Sequence, residues 1–168
     1  MKTLVLCRHA KSDWPPGIAD IDRPLKDRGI RNADFLGELL GNQEFMPDLI
    51  ISSPANRALS TARLVAKKLG YSRDRIQIET SVYHEGTDAL LQLVRSLPQT
   101  VETVMIFGHN PTMEYAVKEI LNSEAAFSMP TAAMACLESF GNTWARFHTQ
   151  NVHLRWFLVP RLQRSDDD

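Results

Sequence analysis

The sequence predicts an α/β fold: a three-layer α/β/α sandwich around a mostly parallel sheet with an antiparallel edge. Three observations predict it. From Thr3 to Leu121, short apolar runs alternate with segments of helical spacing, the mark of repeated strand–helix units. Two of those runs lead straight into Ser53-Pro54 and Asn110-Pro111, a capping side chain followed by proline. After Ala133 the pattern changes to strand-like segments broken by Gly141-Asn142, which reads as a hairpin.

In chain order, Thr3 to Cys7 is a short buried strand. Residues 26 to 40 follow with Ile30, Ala33, Leu36 and Leu40 at helical spacing. Asp48 to Ser52 is the second strand, and Pro54 to Leu69 the second helix, with Leu59, Ala62, Ala66 and Leu69 on one face. Arg75 to Ile78 suits a short strand. Thr87 to Leu97 is a helix with Leu90, Leu91, Val94 and Leu97 turned inward. Thr103 to Phe107 is an apolar strand. Pro111 to Leu121 is a helix that buries Met113, Ala116, Val117, Ile120 and Leu121. Ala133 to Phe140, Thr143 to His148 and Val152 to Val159 are three further strands, the first two forming the hairpin. Residues 1–162 are expected to form one domain, and 163–168 an acidic, disordered tail.

Composition narrows the function. The net charge is −1, without the basic excess that a nucleic-acid or membrane-surface binder usually carries. No apolar run has the length of a membrane span, and Arg8-His9 interrupts the first apolar run too early for a signal peptide. The expected location is the cytoplasm. Cys7 and Cys136 lie in apolar segments and read as buried thiols, with no metal-binding spacing.

In an open α/β sheet, ligands bind at the carboxyl ends of the strands. Three loops at that edge carry titratable groups: Arg8-His9-Ala10-Lys11, Ser52-Ser53-Pro54-Ala55-Asn56-Arg57 and Gly108-His109-Asn110-Pro111. A parallel sheet brings Arg8, His9, Arg57 and His109 to one pocket. Two guanidiniums grip a phosphoryl group through paired hydrogen bonds, and two helix N-termini add favourable dipoles. One imidazole attacks phosphorus with its unprotonated nitrogen while the other donates to a phosphoryl oxygen. Nearby arginines depress the imidazole pKa and keep the nucleophile neutral. Singly, each residue has a plain structural reading; an Arg-His pair arises by chance, and Arg57 alone suits a solvated helix. Their joint placement carries the argument. No carboxylate cluster suggests a metal.

The ordered motifs resemble the histidine phosphatase superfamily, with its phosphoglycerate mutase-like fold. They are Leu6-Cys7-Arg8-His9-Ala10-Lys11-Ser12-Asp13-Trp14, Asp22-Arg23-Pro24-Leu25 with Arg28-Gly29, Ser52-Ser53-Pro54 with Arg57 and Thr61-Ala62, and Gly108-His109-Asn110-Pro111. The resemblance spans Met1 to about Leu137, and Arg-His-Ala-Lys is similar to the SixA-like phosphohistidine phosphatases. It implies a phosphatase with no cofactor and no metal, acting on a phosphorylated histidine protein or a small phosphorylated substrate. His9 is then the nucleophile, and Arg8, Arg57 and His109 complete the phosphate pocket. Lys11 and Asn110 are further candidate phosphate or substrate contacts.

Superfamily members that cleave phosphate esters usually supply a carboxylic acid for the leaving oxygen. The segment Val82-Tyr83-His84-Glu85-Gly86 offers Glu85, or else His84, as the candidate acid, on a loose alignment. A SixA-like chain without a clear acid suits a phosphoramidate, whose nitrogen leaving group departs more easily once protonated. Two rivals stand beside this reading: a phosphomonoesterase for a small metabolite or nucleotide, and a non-catalytic module that binds a phosphorylated ligand. Asp22 and Arg28 are expected to pair. His148 and His153 are expected at the surface, and Trp144 and Trp156 in packing.

Overall fold

The computed structural model describes residues 1–148 and 150–160. The tail expected at 163–168 lies outside them. Six strands form one sheet in the order β3-β2-β4-β1-β5-β6. β1 (Lys2–Arg8), β2 (Leu49–Ser52), β3 (Gln77–Ile78) and β4 (Thr103–Gly108) run parallel. β5 (Met134–Ser139) lies antiparallel to β1, and β6 (Val152–Leu158) antiparallel to β5. The expected fold class is therefore observed.

Both faces of the sheet are covered, which is why its central strands read as continuous apolar runs. Alternate side chains of β1 enter opposite cores: Leu4 and Leu6 on one side, Val5 and Cys7 on the other. The first core is closed by α4 (Gly86–Arg95) and α5 (Thr112–Leu121), through Leu90, Leu91, Val94, Met113, Val117 and Ile120. The second is closed by α1 (Asp27–Asn42) and α2 (Asn56–Leu69), through Ala33, Leu36, Leu40, Ala62, Val65 and Leu69. The one-turn helix α3 (Ser81–His84) lies just ahead of α4. Cys7 and Cys136 are buried free thiols, and burial pushes both pKa values up, Cys136 to about 12. Among the described residues, no helix is long and apolar enough to cross a membrane.

Two local expectations are corrected. Thr143 to His148 is not a strand; Trp144–Arg146 is a 3₁₀ turn, and the strand that pairs with β5 is β6. Packing explains it. Trp144 and Phe147 are both buried, three residues apart, and one helical turn points both at the first core. Trp144 Nε1–H also donates to the Val101 carbonyl at 2.8 Å. The second correction concerns helix starts. α2 begins at Asn56 and α5 at Thr112, and neither carries a side-chain cap at its N-terminal flanking residue. Ser53 and Asn110, one to three positions upstream, make other contacts.

Candidate active site

His9 stands one residue beyond β1, with its main-chain N–H donating to the Gly108 carbonyl and its carbonyl accepting from Ala132 N–H. The imidazole is fixed by a bond of 2.8 Å between Nδ1 and the carbonyl oxygen of Ala10. A carbonyl only accepts, so Nδ1 carries the proton and the neutral ring keeps its lone pair on Nε2. Burial, above all, lowers the His9 pKa to about 3; His109, Arg57 and Arg8 lower it further, and the Ala10 bond partly opposes them. The sequence argument gave the arginines the leading part, but desolvation is the larger cause. Ala10 is fully buried, and its N–H donates to Thr61 Oγ1 at 2.9 Å, which ties the nucleophile loop to α2.

His109 follows β4 and faces His9, with ring centroids 5.3 Å apart. Its Nε2 lies 2.9 Å from Ser53 Oγ, and that hydroxyl oxygen also accepts Ala55 N–H at 3.2 Å. Ser53 keeps a hydroxyl proton that it can donate to Nε2, and in that arrangement the ring proton lies on Nδ1. Nδ1 is buried without a hydrogen-bond partner among the described residues. Burial, with Arg57 second, lowers the His109 pKa to about 4.

Arg57, in the first turn of α2, is buried. Its Nη1 donates to the Asp20 carbonyl at 2.8 Å and its Nη2 to Asp20 Oδ2 at 3.1 Å. Tyr83 Oη donates to the same Oδ2 at 2.5 Å, and Arg23 Nη1 reaches Oδ1 at 3.3 Å. The Tyr83 ring stands edge-on to His109, centroids 5.6 Å apart. With the Tyr83 bond as the first cause, the Asp20 pKa falls to about 2, and that of Tyr83 rises. Asp20 and Tyr83 were not among the candidates. They are 63 positions apart, and no local pattern links them.

Arg8 Nη1 donates to the Met129 carbonyl at 2.9 Å. The same carbonyl accepts from Asn110 Nδ2 at 2.9 Å, while Met129 N–H donates to Glu114 Oε1 at 2.8 Å. Asn110 Nδ2 also donates to Glu114 Oε1 at 2.9 Å. Both amide hydrogens of Asn110 are thus engaged in a brace around Met129, which leaves them no hydrogen for a bound anion. Lys11 is half-buried, and its carbonyl accepts from Lys26 N–H at 2.9 Å, pinning the nucleophile loop to the start of α1. Glu85 is exposed at the junction of α3 and α4, where the neighbouring Tyr83, not Glu85, turns toward His109. The ion pairs of the 13–23 loop run from Arg23 and Arg57 to Asp20, rather than between Asp22 and Arg28. Trp14 folds back on its own loop, donating from Nε1 to the Ile18 carbonyl and lying under Arg23. His153 stacks on Phe140 beside Glu138.

Comparison with known proteins points to the same superfamily as the motifs. The family model of the histidine phosphatase superfamily (branch 1) matches residues 4–83. An uncharacterized protein of Mycobacterium tuberculosis is 31% identical over 163 residues, covering 92% of this chain and 99% of its own. An uncharacterized chloroplastic protein of Arabidopsis thaliana is 32% identical over 152 residues, covering 85% of this chain and 69% of its own. Among solved structures, a candidate phosphohistidine phosphatase SixA from Agrobacterium tumefaciens superposes with a TM-score of 0.78 at 29% identity, covering 95% of this chain and 98% of that one. The protein histidine phosphatase SixA complexed with tungstate shares the fold, with a TM-score of 0.78 at 20% identity over 96% of this chain and 99% of that one. With the motifs in order, the fold shared end to end and the paired histidines at the strand ends, this chain belongs to the histidine phosphatase superfamily.

Proposed function

We propose that this protein is a metal-independent phosphatase that hydrolyses phosphohistidine, on a protein or in a small phosphoramidate, through a covalent phosphohistidine on His9. The observation that carries the reading is the Nδ1 bond of His9 to the Ala10 carbonyl, which frees Nε2 to act as nucleophile.

In this reading Nε2 attacks phosphorus in line, the bond to the leaving nitrogen breaks, and its electron pair departs with that nitrogen. The His9 ring becomes cationic as the new N–P bond forms, and the Ala10 carbonyl stabilises that charge through Nδ1–H. Arg8 and Arg57 hold the equatorial oxygens, where charge spreads in the transition state. The buried Nδ1–H of His109 supplies a further donor. Water then attacks the phosphorus, the N–P bond breaks and His9 is restored. Lys11, at the mouth of the nucleophile loop, is an auxiliary anion contact. The exposed position of Glu85 weighs against a role as general acid, and so against alkyl phosphate esters as the main substrates.

The test is phosphate release from a phosphohistidine-bearing protein and from an aryl phosphate, in the presence of chelator, for wild type and His9→Ala. The expected result is turnover by wild type alone with the phosphohistidine protein preferred. Equal turnover by the mutant overturns His9 as nucleophile. Binding of phosphate without turnover on either substrate returns the protein to the class of regulatory binding modules.

A further inference from the structure

We infer that Asp20 is the residue that recognises the leaving group: its carboxylate accepts the N–H of a departing imidazole and so selects phosphorylated nitrogen over phosphate esters. The inference rests on the proposed phosphatase reading and names the group that makes that reading specific.

The placement follows from a chain of contacts. His9 faces His109, the His109 ring meets the edge of Tyr83, Tyr83 donates to Asp20, and Asp20 binds Arg57. A phosphoryl group held between His9, His109 and Arg57 therefore lies beside Asp20, whose charge is felt at His109. The Asp20 side chain is 38% exposed, whereas Arg57 behind it is 8% exposed. The carboxylate is thus the solvent-facing partner of the pair, open to a group that approaches from solution. Its Oδ2 is occupied by Arg57 and Tyr83; its Oδ1 carries one long bond from Arg23 and retains a lone pair.

A carboxylate held by two guanidiniums and a phenol stays ionised at neutral pH. It cannot give a proton to an alkoxide. It can accept a hydrogen bond from a cationic or N–H-bearing leaving group. In the protonated form of a phosphoimidazole, one ring nitrogen bears phosphorus and the other bears a proton. When His9 Nε2 attacks, the P–N bond breaks with its electron pair moving to that nitrogen, and neutral imidazole leaves with its proton still on the distal nitrogen. Asp20 gains and loses no proton; it holds that N–H and favours the protonated, more labile form of the substrate. A phosphate ester has no such N–H to offer.

The experiment compares kcat/KM for phosphoimidazole and for p-nitrophenyl phosphate across pH 6 to 9, for wild type, Asp20→Asn and Tyr83→Phe. Asp20→Asn is expected to lower kcat/KM on phosphoimidazole by about tenfold more than on the aryl ester, the loss of one charge-assisted hydrogen bond beyond any effect shared through Arg57. Its alkaline limb on phosphoimidazole should begin about one pH unit lower, since the protonated substrate loses its counter-charge. Tyr83→Phe keeps the carboxylate and should preserve the wild-type preference between the two substrates. An equal loss on both substrates, or an unmoved pH profile, overturns the leaving-group role of Asp20 and leaves the phosphatase reading intact. Wild-type turnover of the aryl ester without turnover of phosphoimidazole overturns both.

Discussion

Ser53 Oγ lies 2.9 Å from His109 Nε2, so a side chain at the entry to α2, read from the sequence as a helix cap, also reaches the histidine ring. In the tautomer whose Nε2 accepts from the hydroxyl, Nδ1 carries the hydrogen, and it is the buried Nδ1 that has no partner among the described residues. Ser53→Ala removes the constraint and admits the other tautomer, whose Nδ1 lone pair would repel a phosphoryl oxygen. We expect kcat/KM to fall about tenfold, the scale of one hydrogen bond, with thermal stability nearly unchanged. An unchanged kcat/KM with intact folding would show that Ser53 does not set the tautomer.

Gly29 is a second residue whose reason lies in the nucleophile loop. A Cβ added there would fall 2.2 Å from the Lys11 carbonyl oxygen and 2.9 Å from its nitrogen, both main-chain atoms. The loop must move to admit even a methyl group, and Lys11 is two residues from His9. Gly29→Ala is expected to cost about 1–3 kcal/mol of stability, as overpacking does, and to lower kcat more than KM. Urea unfolding and steady-state kinetics on the same preparation check both parts.

The sheet was legible because burial on both faces leaves little choice of residue. Leu4 to Cys7 and Val104 to Phe107 have no polar side chain to place, and each alternates between the two cores. The paired histidines were legible for a related reason, since strand ends in a parallel sheet share one edge. Thr143 to His148 misled as a strand because, among the described residues, it joins no sheet; a buried indole at helical spacing from Phe147 was the available signal for a turn. Asp20 and Tyr83 lay beyond local reading. Their link depends on the 13–23 loop folding across α2, and only the tertiary path of the chain brings them together. Asn110 was found as a motif residue, but its neighbour Met129 comes from a segment without a sequence code.

The brace around Met129 gives Arg8 a fixed partner. Glu114 Oε1 accepts from Met129 N–H and from Asn110 Nδ2, and the Met129 carbonyl receives Arg8. Glu114→Ala removes the acceptor that both share, so the carbonyl that orients Arg8 is released. We expect a rise in KM and in the inhibition constant of inorganic phosphate of about tenfold, with a smaller change in kcat. Glu114→Gln keeps the oxygen and should recover most of the loss. Equal KM for all three proteins would show that Arg8 is oriented without the brace.

Acid stability tests the electrostatics of both histidines together. Burial holds His9 at a pKa of about 3 and His109 at about 4, both below the roughly 6.5 of an unfolded chain. Between these values the unfolded chain binds protons that the folded protein does not, so stability falls as pH drops below about 6.5. At pH 5 the two rings should each have cost on the order of 2 kcal/mol relative to pH 7.5. Asp20, lowered to about 2, acts with the same sign in a lower window: its contribution is full above about pH 4 and is lost only as pH falls toward 2. Urea unfolding of wild type should therefore show a lower midpoint at pH 5 than at pH 7.5. His9→Gln and His109→Gln should each remove about half of that difference, while Asp20→Asn leaves it in place. A wild-type midpoint that does not move between pH 5 and 7.5 would mean that both imidazoles take up protons in the folded state, and that the nucleophile is not held neutral by its burial.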